Sequence, residues 1–228
     1  MSSIHTFDMI YYALLLLQFI LLSFFGRRNV QVVFHSLRRI THSTSVSFYT
    51  ISLLYLPGTL VHELSHLFTS IALFVQPTNI SLIPSITETH NQYSVRLGYV
   101  QHKQTDPLRS FLIGISPIFV GCAFFYCIQV LNLFPYTTWQ GSLILLYLFF
   151  TISSTMFPSK QDLQEILVLI PILFVAAVLI FSFDIPVVDY LLTENAINTV
   201  KQINTYLALG TGTNGLVYFL FRFLLRSK

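Results

Sequence analysis

His62-Glu63-Leu64-Ser65-His66 is the segment of this chain best suited to chemistry. On an α-helix, residues i and i+4 share a face one turn apart. Two imidazoles at that spacing can grip one metal ion. The glutamate between them can reach a water on that ion without being a ligand itself. This is the H-E-x-x-H arrangement of metal-dependent proteases, in which zinc brings the pKa of its water to about 7 and the carboxylate takes the proton. The string also arises by chance in soluble helices. Here it interrupts an apolar run, residues 47–75, in which Glu63 is the one formally charged residue. An ionisable group at mid-membrane costs at least ~2.5–3.5 kcal/mol on insertion scales. Such a cluster therefore needs a function to offset its cost. A proton relay or ion pathway is the competing function.

A catalytic zinc takes three protein ligands and keeps one position for water. Asp162 is the best third candidate, because it closes the polar end of the fourth apolar run. The same residue also completes Ser159-Lys160-Gln161-Asp162, a capping box opening the next helix behind Pro158. Glu165 is the next carboxylate along. His90 and His102 fall in a polar segment and read as solvent-exposed. Two spans separate the H-E-x-x-H helix from Asp162, so Asp162 enters from the side on which that helix ends. His66 lies nine residues from Val75, or about 14 Å along a helix. The 159–162 segment must therefore dip inward. Backbone at that depth is tolerated only where it lines a protein cavity, and Thr151, Ser153, Ser154 and Thr155 are suited to lining one.

The rest of the chain has to position these groups, and its composition says in what solvent. Of 228 residues, 54% are hydrophobic and 9% charged. A soluble domain carries about 25% charged residues. This excludes a soluble enzyme, a disordered tail and a nucleic-acid-binding module. The net charge is +3, and the basic residues are scattered, so no phosphate-binding stripe is expected. Cys122 and Cys127 sit five apart in one apolar stretch and read as small packing residues.

Six apolar runs follow one another. The first, residues 9–25, reads as a retained span that Gly26-Arg27-Arg28 ends, with residues 29–46 as an interfacial helix. The second is residues 47–75. Residues 77–105 then turn polar. A short strand at 80–83, a loop at 84–92 and period-two alternation from Tyr93 to Val100 predict a β-hairpin at the membrane surface. The third run, near 107–133, carries Gly114-Ile115-Ser116-Pro117. The fourth begins near Trp139 and ends at Phe157-Pro158. The fifth, 163–183, is interrupted by Pro171. Residues 184–204 suit a surface amphipathic helix, and the sixth run is about 206–225. Gly210-Thr211-Gly212-Thr213-Asn214-Gly215 matches a G-x-G-x-x-G string, but no βαβ unit surrounds it. A hinge or a close-packing face is expected there. The fold class is thus an all-α integral membrane protein with about six transmembrane helices and one small hairpin. It divides into a first helix with interfacial segment (1–46), a core (47–183), and an amphipathic segment with a last helix (184–228).

This layout resembles the site-2 protease family of intramembrane zinc metalloproteases. His62 to His66 matches that family's H-E-x-x-H helix, and the period-two stretch falls where the family carries a hairpin. Gly114-Ile115-Ser116-Pro117 looks like a diverged Gly-Pro motif. Met156-Phe157-Pro158-Ser159-Lys160-Gln161-Asp162 falls where the family has an Asn-Pro…Asp-Gly segment donating the third ligand. Leu163 replaces the expected glycine, and no asparagine precedes Pro158. The resemblance covers roughly residues 47–183. It implies one zinc per chain held by His62, His66 and Asp162, with Glu63 as general base. The implied reaction is hydrolysis of a peptide bond in a transmembrane segment of a membrane-protein substrate. The implied location is a multi-pass position, in a cell membrane by default. The alternatives are a transporter or proton pathway, and an inactive scaffold that binds helices.

Overall fold

Helix α1 (Ser2–Thr41) runs unbroken through Gly26-Arg27-Arg28, where the sequence predicts a break. Arginine is a good helix former, and Arg28 lays its guanidinium 4.6 Å above the Phe24 ring one turn earlier. The first span and the interfacial segment are therefore one rod. The chain is described here from a computed structural model covering residues 2–81, 85–89, 92–96, 98–103, 105–135, 138–159, 162–163, 167, 170–184 and 186–226.

At His42 the backbone turns with φ 53°. Ser43 then caps α2 (Thr44–Ala72) by accepting from the Val46 N–H. The two helices fold back on each other, burying Val33, Phe34, Ile51 and Tyr55 together with Phe150. Strands β1 (Pro77–Ser81), β2 (Ser85–Thr89), β3 (Gln92–Arg96) and β4 (Tyr99–His102) follow. β1 pairs with β4 and β2 with β3, both antiparallel. The expected hairpin exists but in two successive ladders, and Ser85–Thr89 is strand rather than loop. Ile86, Thr87 and Thr89 are β-branched, which favours the pleated backbone there.

Helices α3 (Pro107–Val130) and α4 (Trp139–Thr155) are capped by Asp106 and Thr138. Then come α5 (Ile170–Ser182), α6 (Val187–Leu191) and α7 (Glu194–Arg226). Pro171 sits in the first turn of α5, where its missing N–H is harmless. The amphipathic segment and the sixth run form a single helix, α7. All six residues from Gly210 to Gly215 are helical, so that string is no hinge. A Cβ on Gly210 would stand 2.9 Å from Ser153 Cβ, which makes it a close-packing face.

Among the described residues, three helices are long and apolar enough to cross a bilayer: residues 9–41 of α1, α2 and α3. Helix α4 has 17 residues, or roughly 26 Å, short of a ~30 Å hydrocarbon core. The outer faces carry Ile20, Phe119, Phe174 and Phe219, each at least 65% exposed, a surface that lipid solvates and water does not.

Helices α1 and α7 lie side by side and run parallel. Asn29 bonds Asn214, Ser36 bonds Phe221 and Arg39 bonds Leu224, each pair 185 residues apart. Six strictly alternating spans would set the first and last helices antiparallel, so the chain does not make that bundle. A core of Leu22, Phe125, Phe149, Tyr206 and Leu207 ties α1, α3, α4 and α7 together. Cys122 and Cys127 are free thiols on α3.

Candidate metal centre

His62, Glu63 and His66 lie on the lower half of α2, where two close approaches hold the helices. A Cβ on Gly58 would stand 2.2 Å from the Thr151 carbonyl oxygen, and one on Gly26 would stand 2.3 Å from that of Ser154. Glycine alone lets α2 and α1 press directly on the backbone of α4. Pro57, next to Gly58, offers no N–H to the Leu53 carbonyl. The Tyr147 hydroxyl of α4 enters that opened turn, donating to Leu54 O at 2.9 Å and lying 3.5 Å from Leu53 O. The α2–α4 crossing is thereby fixed just above the histidines.

A second proline orients the site directly. Pro117 on α3 leaves the Ile113 carbonyl without its helical donor. His66 Nδ1 donates to that oxygen at 2.8 Å, and Ser116 Oγ donates to it at 2.8 Å. The proton is thus on Nδ1, and Nε2 presents a lone pair. Ser116 also reaches Ser65, 3.4 Å away. The Gly114-Ile115-Ser116-Pro117 string therefore meets the site through Ser116 and through the Ile113 carbonyl that Pro117 leaves free for His66.

Asp162 comes to the same place. His62 Nε2 and His66 Nε2 are 3.1 Å apart, and Asp162 Oδ2 stands 3.8 Å from the first and 3.6 Å from the second. All three donor atoms lie within 4.8 Å of one another. Donors held tetrahedrally at ~2.0–2.2 Å from one ion stand roughly 3.3–3.6 Å apart. The observed spacings bracket that value and leave room for an ion at the centre. The group can hold a metal ion. His62 Nδ1 is buried without a hydrogen-bond partner among the described residues.

The two readings of Asp162 turn out to be one arrangement. The Ser159 N–H donates to Asp162 Oδ2 at 2.6 Å, and the Asp162 N–H donates to Ser159 Oγ at 3.3 Å. This reciprocal capping box fixes the carboxylate against Ser159 while Oδ2 faces the imidazoles. Glu165 and His90 lie outside the described residues. His102 is half-buried on β4, its Nδ1 donating to Lys103 O at 2.9 Å. It stands apart from the His62–His66–Asp162 group and is not the fully exposed residue expected.

Glu63 is buried, at 5% exposure. A Cβ on Gly98, just before β4, would stand 3.0 Å from both Glu63 Cγ and Oε1. The β region thus closes over the carboxylate. His62, Glu63, His66 and Asp162 face a cavity of about 330 Å³. Its walls are Arg27 and Gln31 of α1, Ser154 and Thr155 of α4, and Tyr99 and Val100 of β4. Of the four polar residues expected to line it, Ser154 and Thr155 do so. Thr151 and Ser153 are fully buried, in helix contacts. The contribution of α1 was not foreseen. The Ile113 carbonyl had a signal, a proline four residues later.

Behind Ser154 lies a buried polar knot. Ser154 Oγ donates to Asn214 Oδ1 at 2.6 Å, Asn29 Nδ2 donates to the same atom at 2.9 Å, and Asn214 Nδ2 donates to Ser153 Oγ at 2.8 Å. It joins α1, α4 and α7 next to the cavity. The chain matches no family model, no curated protein and no solved structure.

Proposed function

We propose that the chain is an intramembrane zinc metalloprotease that cleaves a peptide bond in or near a transmembrane segment of another membrane protein. The observation that carries this reading is the convergence of His62, His66 and Asp162 at tetrahedral-ligand spacing, with buried Glu63 on the same cavity wall. The resemblance to the site-2 protease family supports it. Two neutral imidazoles and one carboxylate with an open position suit zinc among the divalent ions.

His62, His66 and Asp162 would hold the ion. When bound, zinc supplies a Lewis acid that acidifies water and polarises the scissile carbonyl. Glu63 accepts the proton from the attacking water and hands it to the leaving amine. Its burial under Gly98 keeps bulk water off the carboxylate. The Ile113 carbonyl keeps His66 in its ligating tautomer, and Ser159 keeps Asp162 aimed at the histidines. Tyr99 and Val100 of β4 present an extended backbone along the cavity, beside which an unwound substrate segment can run.

The test is zinc per chain in detergent-purified protein, measured for wild type, His66→Ala, Asp162→Asn and Glu63→Gln after reloading with zinc. The expected result is about one zinc in wild type and in Glu63→Gln, none in His66→Ala, and weakened binding in Asp162→Asn. With transmembrane peptides as substrates, Glu63→Gln should abolish cleavage while keeping its metal. A well-folded wild type that takes up no zinc would remove the metalloprotease reading.

A further inference from the structure

The basic residues that look scattered along the sequence are brought together by the parallel packing of α1 and α7. Arg27 and Arg28 of α1 and Arg222 and Arg226 of α7 line one groove of about 490 Å³, with Gln31 and the buried Tyr218 between them. No described carboxylate lines it. Arg222 donates to the Tyr218 hydroxyl and lies 5.4 Å from that ring, while Arg28 rests on Phe24. The aromatic supports hold two of the guanidiniums in place. A guanidinium is a planar fork that matches phosphate oxygens two at a time. Four of them around one space call for an anion from outside the chain.

We infer that this groove binds the phosphate headgroup of an anionic phospholipid. The groove's flanks favour a lipid over a free phosphate. Phe219 and Phe223 on α7 are 65% and 70% exposed, and Phe24 on α1 is exposed where its ring meets the groove's Tyr218 at 6.0 Å. They form an apolar wall along which acyl chains can lie while the headgroup enters the arginine cluster. Arg27 and Gln31 belong both to this groove and to the metal-centre cavity, so a bound headgroup sits at the rim of that cavity. The inference stands independently of the protease reading.

The test uses the full chain in a neutral detergent after delipidation. Short-chain phosphatidylglycerol, short-chain phosphatidylcholine and inorganic phosphate are titrated separately, followed by thermal unfolding and by native mass spectrometry. Phosphatidylglycerol should bind saturably and raise the unfolding midpoint, with phosphatidylcholine and inorganic phosphate doing neither at the same concentration. Arg28→Gln/Arg226→Gln alters two exposed side chains and should weaken phosphatidylglycerol binding by about tenfold or more. Arg222→Lys keeps the charge and loses the fork, and should weaken it by a smaller factor. Equal binding of the two lipids by the wild type would overturn the inference, as would unchanged affinity in both variants. Saturable binding of inorganic phosphate as tight as that of phosphatidylglycerol would assign the groove to free phosphate and overturn the lipid assignment.

Discussion

Pro117 and His66 are linked through one oxygen atom: the Ile113 carbonyl, which the proline leaves without a helical donor, accepts the His66 Nδ1–H at 2.8 Å. The two residues sit on different helices, and neither motif alone implies the link. Replacing Pro117 by alanine restores an N–H at position 117 that competes for the same carbonyl. Groups that orient metal-binding histidines are worth about 10–100-fold in affinity. Pro117→Ala should therefore weaken zinc binding by about tenfold, within that range, while α3 stays helical. A competitive zinc titration with circular dichroism alongside checks both. Unchanged zinc affinity would show that Ile113 does not govern the imidazole.

Ser159 and Asp162 share a capping box whose carboxylate also faces the two histidines. Asp162→Asn keeps a side-chain oxygen for the cap and removes the ligand charge. Ser159→Ala keeps the ligand and removes one half of the cap, at about 1 kcal/mol of local helix stability. The first variant should fold as wild type and hold zinc poorly. The second should hold zinc with modestly reduced affinity and lose some thermal stability. Zinc content and unfolding midpoint, measured on both proteins, separate the two roles of one carboxylate.

A Cβ at Gly98 would press on Glu63 Cγ and Oε1 at 3.0 Å and on the Ser81 carbonyl oxygen at 3.1 Å. A valine there must push the carboxylate aside. The nearest atoms to a Cβ at position 98 belong to Glu63 and Ser81 and not to His62, His66 or Asp162, so zinc stoichiometry should remain at wild type. Under the proposed mechanism cleavage should fall by about 10²-fold, the size of effect expected from a misplacement near 1 Å. A fall in zinc content equal to the fall in cleavage would instead make Gly98 a packing residue of the whole site.

Asn214 is fully buried and serves Asn29, Ser153 and Ser154 at once. Asn214→Leu removes three bonds, while Asn29, Ser153 and Ser154 each keep a backbone acceptor, so each lost bond costs about 0.5–1.5 kcal/mol. The expected loss is about 2–4 kcal/mol in unfolding free energy. Adding Asn29→Leu should cost less than the sum of the two single changes, since one partner has already lost its bond. Equilibrium unfolding of the three variants in detergent gives the coupling.

The metal group was legible where it was local. His62 and His66 are four residues apart, and the helix geometry follows from that spacing alone. Asp162 was legible because it closes the polar end of the fourth apolar run, and the four-residue capping box from Ser159 to Asp162 was the competing reading of it. The contribution of α1 was not, since nothing in Gly26-Arg27-Arg28 indicates that Gly26 will meet the Ser154 carbonyl from across the chain. The same segment misled the reading of α1 itself. Charge at residues 27 and 28 looked like the end of a span, yet Arg28 stacks on Phe24 and the helix continues. The strand at Ser85–Thr89 was hidden by its polarity, which masks the alternation that marks a buried strand. The direction of α7 depends on long-range contacts with Asn29, Ser36 and Arg39. Hydropathy counts the runs and says nothing of how they pair.

The parallel run of α1 and α7 has a consequence for topology mapping. Ser2 opens one helix and Arg226 closes the other, so the two positions emerge at opposite ends of the bundle. An epitope placed near each would report on opposite sides of a bilayer that α1 crosses. An alternating six-span chain would put both tags in the same compartment.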